Sequence, residues 1–435
     1  MILYFKQAWQ ILKQNPFYST IYIIGTGLSI SVVMILAIVF YIKIANVYPE
    51  TKRDRLLITK QAEVRTDDGN SMNSYYLSLD VIKTCFYPLQ SAEAVTAVYT
   101  DTEDFFVQPD GSEEQIPASV KPVDNGFWKV FSFSFIEGNP FTEADMQSGI
   151  RTAVIAESFA RRIFKTTKVT GKYISIDFVP YRICGVVKDV SYAANKTFAQ
   201  LWIPYTAIEI EEASWGDNPS GKALGQFISY VLAPSAAEIE NVKAEIVENL
   251  RKFDTSLEGA SFSVQGQPDN QWQSVIRYGD ANPDFTKKRI RYGFIFFILL
   301  LVPAVSLSGM TDSQMERRLS EMGVRRSFGA PWYKIANQLI TENMLYTFLG
   351  GIFGLLLSYL IVYLAQSWIL QIGFENDFID IIPEGTDVIM TPSMMINYQV
   401  FTIALLICII LNLLVTVIPA WRASKKEIIF SLNAK

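Results

Sequence analysis

Residues Thr311–Lys334 read TDSQMERRLSEMGVRRSFGAPWYK, a short and strongly charged segment between two long hydrophobic runs. One run ends near Met310 and the next begins within a turn or two of Pro331. A connection that short must lie at one face of a membrane. Its density of arginine (Arg317, Arg318, Arg325, Arg326) assigns that face to the cytoplasm, because short cytoplasmic loops retain an excess of Lys and Arg. Met315, Leu319 and Met322 share a helical stripe, Gly329 suits a helix C-terminus, and Pro331 suits the first turn of the next helix. The spacing predicts a short amphipathic helix over Arg318–Phe328.

Working outward, four windows are nearly free of charge: about Phe17–Ile42, Gly293–Met310, Met344–Leu370 and Tyr398–Ala420. Each approaches the roughly 20 residues that cross a hydrocarbon core of about 30 Å. Phe374–Ile396 contains no Lys or Arg, whereas the 311–334 loop and the tail (Arg422, Lys425, Lys426, Lys435) are rich in them. The reading is a polytopic α-helical membrane protein with four transmembrane helices and both termini in the cytoplasm. Lys287, Lys288, Arg289 and Arg291 dissent on the outer side, but long translocated domains largely escape the positive-inside rule. They suit a helical stalk above the bilayer.

The expected organisation is an amphipathic interfacial helix at 1–16, with Tyr4, Phe5, Ala8, Trp9 and Leu12 on one face. The first span and the start of a stalk follow at 17–43. A large extracytoplasmic α+β domain fills 44–285, with an inserted subdomain at about 101–205. Stalk and second span take 286–312, the cytoplasmic loop 313–334, the third span 335–370, an outer loop 371–397, the fourth span 398–420 and the tail 421–435. The first span is too long for a signal peptide and no small-residue cleavage pattern follows it, so it reads as a retained anchor.

The composition is 50% apolar with 19% charged residues, and the net charge of −5 argues against nucleic acid as the main partner. There are three cysteines and no histidine. Cys408 falls in the last span; Cys85 and Cys184 read as buried free thiols, a disulfide being the alternative. Without histidine, general acid–base work falls to carboxylates and metal binding lacks its commonest ligand. Glu103, Asp104, Glu113 and Glu114 are scattered acids in hydrophilic loops and read as solvated surface. The chain is not expected to be an enzyme.

In the large domain, Arg55–Thr59, Ala94–Thr100 and Ser261–Gln265 read as strands, and Leu77–Phe86 as a helix. Ser175–Phe178 with Arg182–Val187 alternates like a hairpin. Ser235–Phe253 is amphipathic through Ile239, Val242, Ile246 and Leu250. Gly216–Ala223 fits most of a nucleotide-binding P-loop, but Ala223 has no hydroxyl for Mg²⁺ and IEIEEASW before it is polar and broken. It reads as a surface loop.

Three blocks give the chain a family likeness. Glu316-Arg317-Arg318 followed by Glu321–Ala330 (EMGVRRSFGA) is similar to an R-x-x-E-I-G-I-R-R-A-L-G-A signature, and Pro419-Ala420-Trp421-Arg422-Ala423 to a closing P-A-x-R-A. Asn125–Trp128, Glu137–Phe141, Ala153–Ala160, Gly171-Lys172 and Gly185–Val190 resemble a periplasmic module. In this order, and with one span, a large domain and three spans, the chain resembles the MacB/FtsX-like permeases of ATP-binding-cassette transporters over nearly its full length.

The resemblance implies that the loop helix is a coupling helix seated in a groove of a cytoplasmic ATPase, through Arg318, Glu321, Met322, Gly323, Arg325, Arg326 and Gly329. No ATPase domain is read on this chain, so ATP and Mg would sit on a partner subunit, and the chain itself carries no cofactor. It implies two permease copies (the second identical or a paralogue) with two ATPase copies, in the bacterial cytoplasmic (inner) membrane, with a periplasmic adaptor or other envelope protein as a candidate further partner. The output is export of a peptide, antibiotic or other envelope substrate; the alternatives are lipoprotein extraction and an FtsX-like regulator of a cell-wall hydrolase or envelope-stress sensor. Within the third span, Gly350, Gly354 and Ser358 recur every four residues, which allows close helix packing. Glu342 and Asn343, near its cytoplasmic end, either pair with loop arginines or snorkel to water.

Overall fold

The structure, a computed structural model, describes residues 9–10, 12–14, 16–67, 71–100, 105–109, 111, 113–209, 218–277, 282–295, 297–298, 328, 331–373, 390–391, 394, 401–403, 405–407 and 409–410. The chain divides into two units. One comprises 1–41, 286–369 and 392–435; the other 42–285 with 370–391.

In the first unit two described helices are long and apolar enough to cross a membrane. Helix Pro16–Ile44 contains the 26-residue apolar stretch Ser19–Ile44, and helix Trp332–Leu364 the 25-residue stretch Ile340–Leu364. At 1.5 Å per residue these are about 39 Å and about 38 Å long, more than a hydrocarbon core needs. A shorter helix, Gln366–Gly373, follows the break at Ala365. Pro331 stands at the N-cap of the long helix, one position before the first helical residue. Residues 285–295, 401–403, 405–407 and 409–410 are helical. Most of the expected second and fourth spans lies outside the described residues.

The second unit is built on one hydrogen-bonded sheet of sixteen described strands. In chain order they are β1 Leu56–Thr59, β2 Gln61–Thr66, β3 Met72–Leu77, β4 Ala94–Tyr99, β5 Phe105–Pro109, β6 Ile116–Ala118, β7 Val120–Val123 and β8 Phe135–Gly138. Then come β9 Thr152–Ala156, β10 Tyr173–Ile176, β11 Val179–Val187, β12 Leu201–Pro204, β13 Leu224–Gly225, β14 Phe227–Leu232, β15 Ala260–Ser263 and β16 Asp269–Asn270. The main path runs β15-β2-β3-β14-β4-β7-β12-β9-β11-β10-β5-β6. Most pairs are antiparallel. The exceptions, β7 with β12 and β9 with β11, lie near the middle.

Burial follows position in the sheet. β14 (FISYVL) and β9 (TAVIA) are buried along their whole length, as strands covered on both faces must be. Helix Ile239–Ser256 buries Val242, Ile246, Leu250 and Phe253, a single stripe at helical spacing. Leu77 closes β3; Ser78 then caps a turn at Leu79–Val81, its Oγ accepting from the Val81 amide at 3.1 Å, and the helix widens over Ile82–Phe86. The β10–β11 hairpin closes through Asp177 and Phe178 at φ 46° and 66°, so Phe178 is a turn residue and not part of a strand. A two-residue hairpin turn of this type needs positive φ at both central positions, which a Phe side chain does not advertise. The strand after the amphipathic helix ends at Ser263, because Gln265 turns the chain at φ 55°.

The P-loop-like stretch is not a surface loop in its described part. Asn218 caps a short helix Pro219–Ala223, its Oδ1 taking the Gly221 amide at 3.0 Å, and Ser220 and Ala223 are buried. Cys85 and Cys184 are free thiols. Burial pushes each up to about 12, which keeps them protonated and unreactive.

Candidate functional site

Arg318, Glu321, Met322, Gly323, Arg325, Arg326 and Gly329, the residues expected to couple to an ATPase, lie outside the described residues, as do Glu103 and Asp104. Gly350, Gly354 and Ser358 are described, on the face of helix Trp332–Leu364 that meets helix Pro16–Ile44. A Cβ on Gly350 would stand 2.8 Å from the Cβ and Cγ2 of Thr26, and one on Gly354 2.6 Å from the Gly27 carbonyl oxygen. A Cβ on Gly27 in turn would stand 2.4 Å from the Phe353 ring. The two backbones approach as closely as absent side chains allow. Ser358 is fully buried and donates within its own helix to the Leu355 carbonyl at 2.8 Å.

Toward the start of helix Trp332–Leu364 the same contact becomes polar. The hydroxyls of Ser19 and Tyr346 share a hydrogen bond of 3.1 Å, the rings of Tyr22 and Tyr346 pack at 4.8 Å, and Leu12 packs against them. Glu342 and Asn343 are buried here, at 1% and 4% exposure, so neither snorkels to water.

A second concentration of buried polar chemistry stands where the first helix ends, wholly within the outer unit. The last turn of a helix leaves carbonyls without intrahelical partners. Arg53, in the short turn before β1, supplies them: its Nη1 donates to the carbonyls of Ile42 at 2.7 Å and Ala45 at 2.8 Å. A cation at a helix C-terminus is also favoured by the helix dipole. Arg53 is itself held by Glu50, its Nε donating to Oε2 at 2.7 Å. The other side of the Glu50 carboxylate faces a segment far along the chain. Oε1 accepts from the Lys196 amide at 3.1 Å and the Thr197 hydroxyl at 3.1 Å, and Oε2, which Arg53 also uses, from the Lys196 ammonium at 3.5 Å. Lys121, from β7, donates to the carbonyls of Asn195 and Lys196 at 3.1 Å and 3.0 Å.

All four charged side chains are buried, Glu50 and Arg53 almost completely. Burial by itself would raise the Glu50 carboxyl. Arg53 and Lys196, by charge and hydrogen bonding, outweigh it and hold the group at about 2. Burial lowers Lys121 and Lys196 to about 8, against the pull of Glu50. From the far end of the domain, Gln271 donates to the Lys43 carbonyl at 2.6 Å. Six residues on, Arg277 forms a buried bidentate pair with Asp269, donates to the Gln265 carbonyl at 3.1 Å and lies over the Phe285 ring.

Other polar groups of the outer unit are engaged structurally. Asp124 accepts from Thr96, Tyr87 and the amides of Ala97 and Phe127, which joins β4 to the helical turn Phe127–Val130. An open depression of about 520 Å³ is lined by Glu157, Ser158, Arg161, Arg162 and Asp189. Its charges are largely spent on each other: Asp189 takes the Ser158 amide at 2.8 Å and Glu157 pairs with Arg161 at 2.8 Å. Among the described residues no three His, Cys, Asp or Glu side chains converge as metal ligands. Sequence reasoning missed Glu50, Arg53, Lys121 and Lys196. The run Asn46–Arg55 shows Glu50, Asp54, Lys52, Arg53 and Arg55 as equivalent juxtamembrane charges, and nothing local separates the buried pair from the rest.

A helix of membrane-spanning length leads into a large α+β domain, and a second such helix, lined by glycine, stands later in the chain. Residues 19–249 match the MacB-like periplasmic core domain and residues 293–428 the FtsX-like permease C-terminal domain. The first match alone covers more than half of the 435 residues. The chain belongs to the MacB/FtsX-like family of ABC transporter permeases, membrane-embedded proteins with a periplasmic domain.

Among its relatives, the ABC transporter permease YknZ of Bacillus subtilis is 24% identical over 247 residues, 57% of this chain and 58% of that one. The pyoverdine export ATP-binding/permease protein PvdT of Pseudomonas fluorescens is 24% identical over 241 residues, 55% of this chain and 34% of that one. The macrolide export ATP-binding/permease protein MacB 1 of Escherichia coli is 22% identical over 265 residues, 60% of this chain and 38% of that one. The chain thus matches from about a third to under two thirds of these relatives' lengths. The crystal structure of the extracellular domain of YknZ is 17% identical, covers 47% of this chain and 99% of its own, and has a TM-score of 0.31, a likeness too loose to bear an argument about the site.

Proposed function

We propose that this permease acts by mechanotransmission: closure of a separate cytoplasmic ATPase on ATP and Mg moves the 313–334 loop, and the spans carry the movement into the outer domain. The observation that carries this reading is the end of the first helix. Its last turn, from Ile42, is part of the outer unit and is bound there by Arg53 and Gln271, so movement of that turn is movement of the domain. For the outer domain to switch, the ATPase must bind its two states with different free energies, about 5.5 kcal/mol to drive a population from 1:99 to 99:1. ATP-driven closure is an adequate source.

Coupling is assigned to Arg318, Glu321, Met322, Gly323, Arg325, Arg326 and Gly329, with two permease and two ATPase copies in the cytoplasmic membrane and both termini inside. The output assigned is export of a peptide, antibiotic or other envelope substrate, in keeping with the export roles for which the pyoverdine and macrolide relatives are named. The test is a mild-detergent pull-down of tagged protein from native membranes, with Arg325→Glu plus Arg326→Glu beside the wild type. A stoichiometric ATPase that the double reversal loses supports the assignment. An ATPase retained at full stoichiometry and activity by the reversed variant sinks the role of these arginines.

A further inference from the structure

Buried ion clusters are a poor way to stabilise a fold, because desolvation consumes most of what the charges gain from one another, and apolar residues of equal volume often do better. What such a cluster supplies is geometry. Around Glu50 one carboxylate is shared by two segments nearly 150 residues apart in sequence, each held at distances of 2.7–3.5 Å. On one side Arg53 grips the orphan carbonyls of the helix end. On the other, the Lys196–Thr197 turn leads directly into the sheet. The Thr197 carbonyl accepts from the Trp202 indole at 3.1 Å, placing β12 one bond away, and Lys121 ties the same turn to β7. β7 and β12 are the parallel pair in the middle of the sheet.

The covalent route from the helix end to β1 is a run of turns, Ala45–Arg55, and a run of turns bends under load unless it is braced. Pro49 and Tyr48 of that run are tied to Ser132 and Ser134, and Lys43 to Gln271, but its tie to the 195–197 turn runs through the Glu50 side chain.

We propose that Glu50 is the positioning residue through which displacement of the first span's outer end reaches the core of the outer domain, holding Arg53 against the helix end and the 195–197 turn against β7 and β12. The proposal rests on the mechanotransmission reading. It adds to it a specific joint, and it makes the 194–204 segment the first part of the sheet to respond.

The experiment is hydrogen exchange with peptide resolution on the full-length permease, co-purified with its ATPase and held in lipid nanodiscs. Glu50→Gln keeps the shape of the side chain but gives the cations no anion. It is expected to raise exchange about tenfold at residues 42–53 and at 194–204 together, with helix Ile239–Ser256 unchanged. Thr197→Val, a milder variant that keeps every charge, removes one of the three far-side bonds to Glu50 together with the Thr197 bond to the Ala194 carbonyl; it too is expected to raise exchange at 42–53, by less than Glu50→Gln and more than a hundred residues away. Should either folded variant alter one segment and leave the other at the wild-type rate, the joint is wrong.

A second arm adds ATP. Wild-type protein is expected to change its exchange at 194–204, and the Thr197→Val variant to lose at least half of that change. No ATP-dependent change in the wild type overturns mechanotransmission itself, and the joint with it. An equal change in wild type and variant overturns the joint and leaves mechanotransmission standing.

Discussion

Where helix Pro16–Ile44 lies against helix Trp332–Leu364, Gly27, Gly350 and Gly354 hold the pair together by what they lack; where the same helix ends, Glu50, Arg53 and Lys196 hold it by charge. The glycine contact is dispersion between close backbones, spread along a stripe, with the Ser19–Tyr346 hydrogen bond at one end. The charged contact is short-range and directional, a set of hydrogen bonds each aimed at a particular oxygen. The difference also has an energetic signature, since removing one partner of a buried ionic set costs far more than removing one contact of many.

The sharpest way to break the comparison is Glu50→Ala, which leaves Arg53, Lys121 and Lys196 buried without their anion. A loss of about 3–5 kcal/mol is expected in denaturant unfolding of the full-length protein in nanodiscs. A loss under about 1 kcal/mol would show that water fills the site and that the charges hold nothing.

Acid should act on the same group. The folded Glu50 carboxyl is held at about 2, below the ordinary carboxylate value of 4.5. A depressed carboxylate contributes stability that is complete above the unfolded value and lost as pH falls from about 4.5 toward 2. The loss is about 3 kcal/mol, at 1.36 kcal/mol per pH unit of displacement. The difference in unfolding free energy between wild type and Glu50→Gln, measured from pH 6 to pH 2.5, should shrink across that window.

At the glycine contact the effect is smaller. Gly354→Leu puts a side chain into the Gly27 carbonyl and should cost about 1–3 kcal/mol by overpacking, read as a lower melting temperature. Gly171→Ala has nothing within 4 Å of its new Cβ but a φ of +87°, so any loss there is backbone strain and separates that term from crowding. Tyr346→Phe removes only the hydroxyl shared with Ser19 and should cost about 0.6 kcal/mol, the usual worth of a hydrogen bond between membrane helices. Arg251→Ala, on the solvent face of helix Ile239–Ser256, should change nothing measurable, because Glu248 and Arg251 are both exposed.

The parts of this molecule legible in the chain are those set by composition over a window. Two apolar runs stand as helices of spanning length, the Ile239–Leu250 periodicity is a helix with its apolar side buried, and Gly350 and Gly354 lie at a close helix contact. Boundaries failed where one residue's backbone decided them, at Phe178 and Gln265 with positive φ and at Ser78 with its cap. The P-loop-like stretch misled in a different way: its spacing matched, but Asn218 uses its own side chain on the Gly221 amide, and the segment packs as a helix.

The amino-acid sequence by itself determined that this is a membrane permease of the MacB/FtsX-like family with a large outer α+β domain, because hydrophobic windows, charge asymmetry and ordered motif blocks are local or additive properties. Only the tertiary structure decided which charges matter outside the membrane. Glu50 and Asp54 are four residues apart and alike in type, yet one is sealed among three cations and the other is exposed beside Asn46. Burial and pairing depend on what the chain brings back from Lys121 and Lys196, and no window around Glu50 contains them.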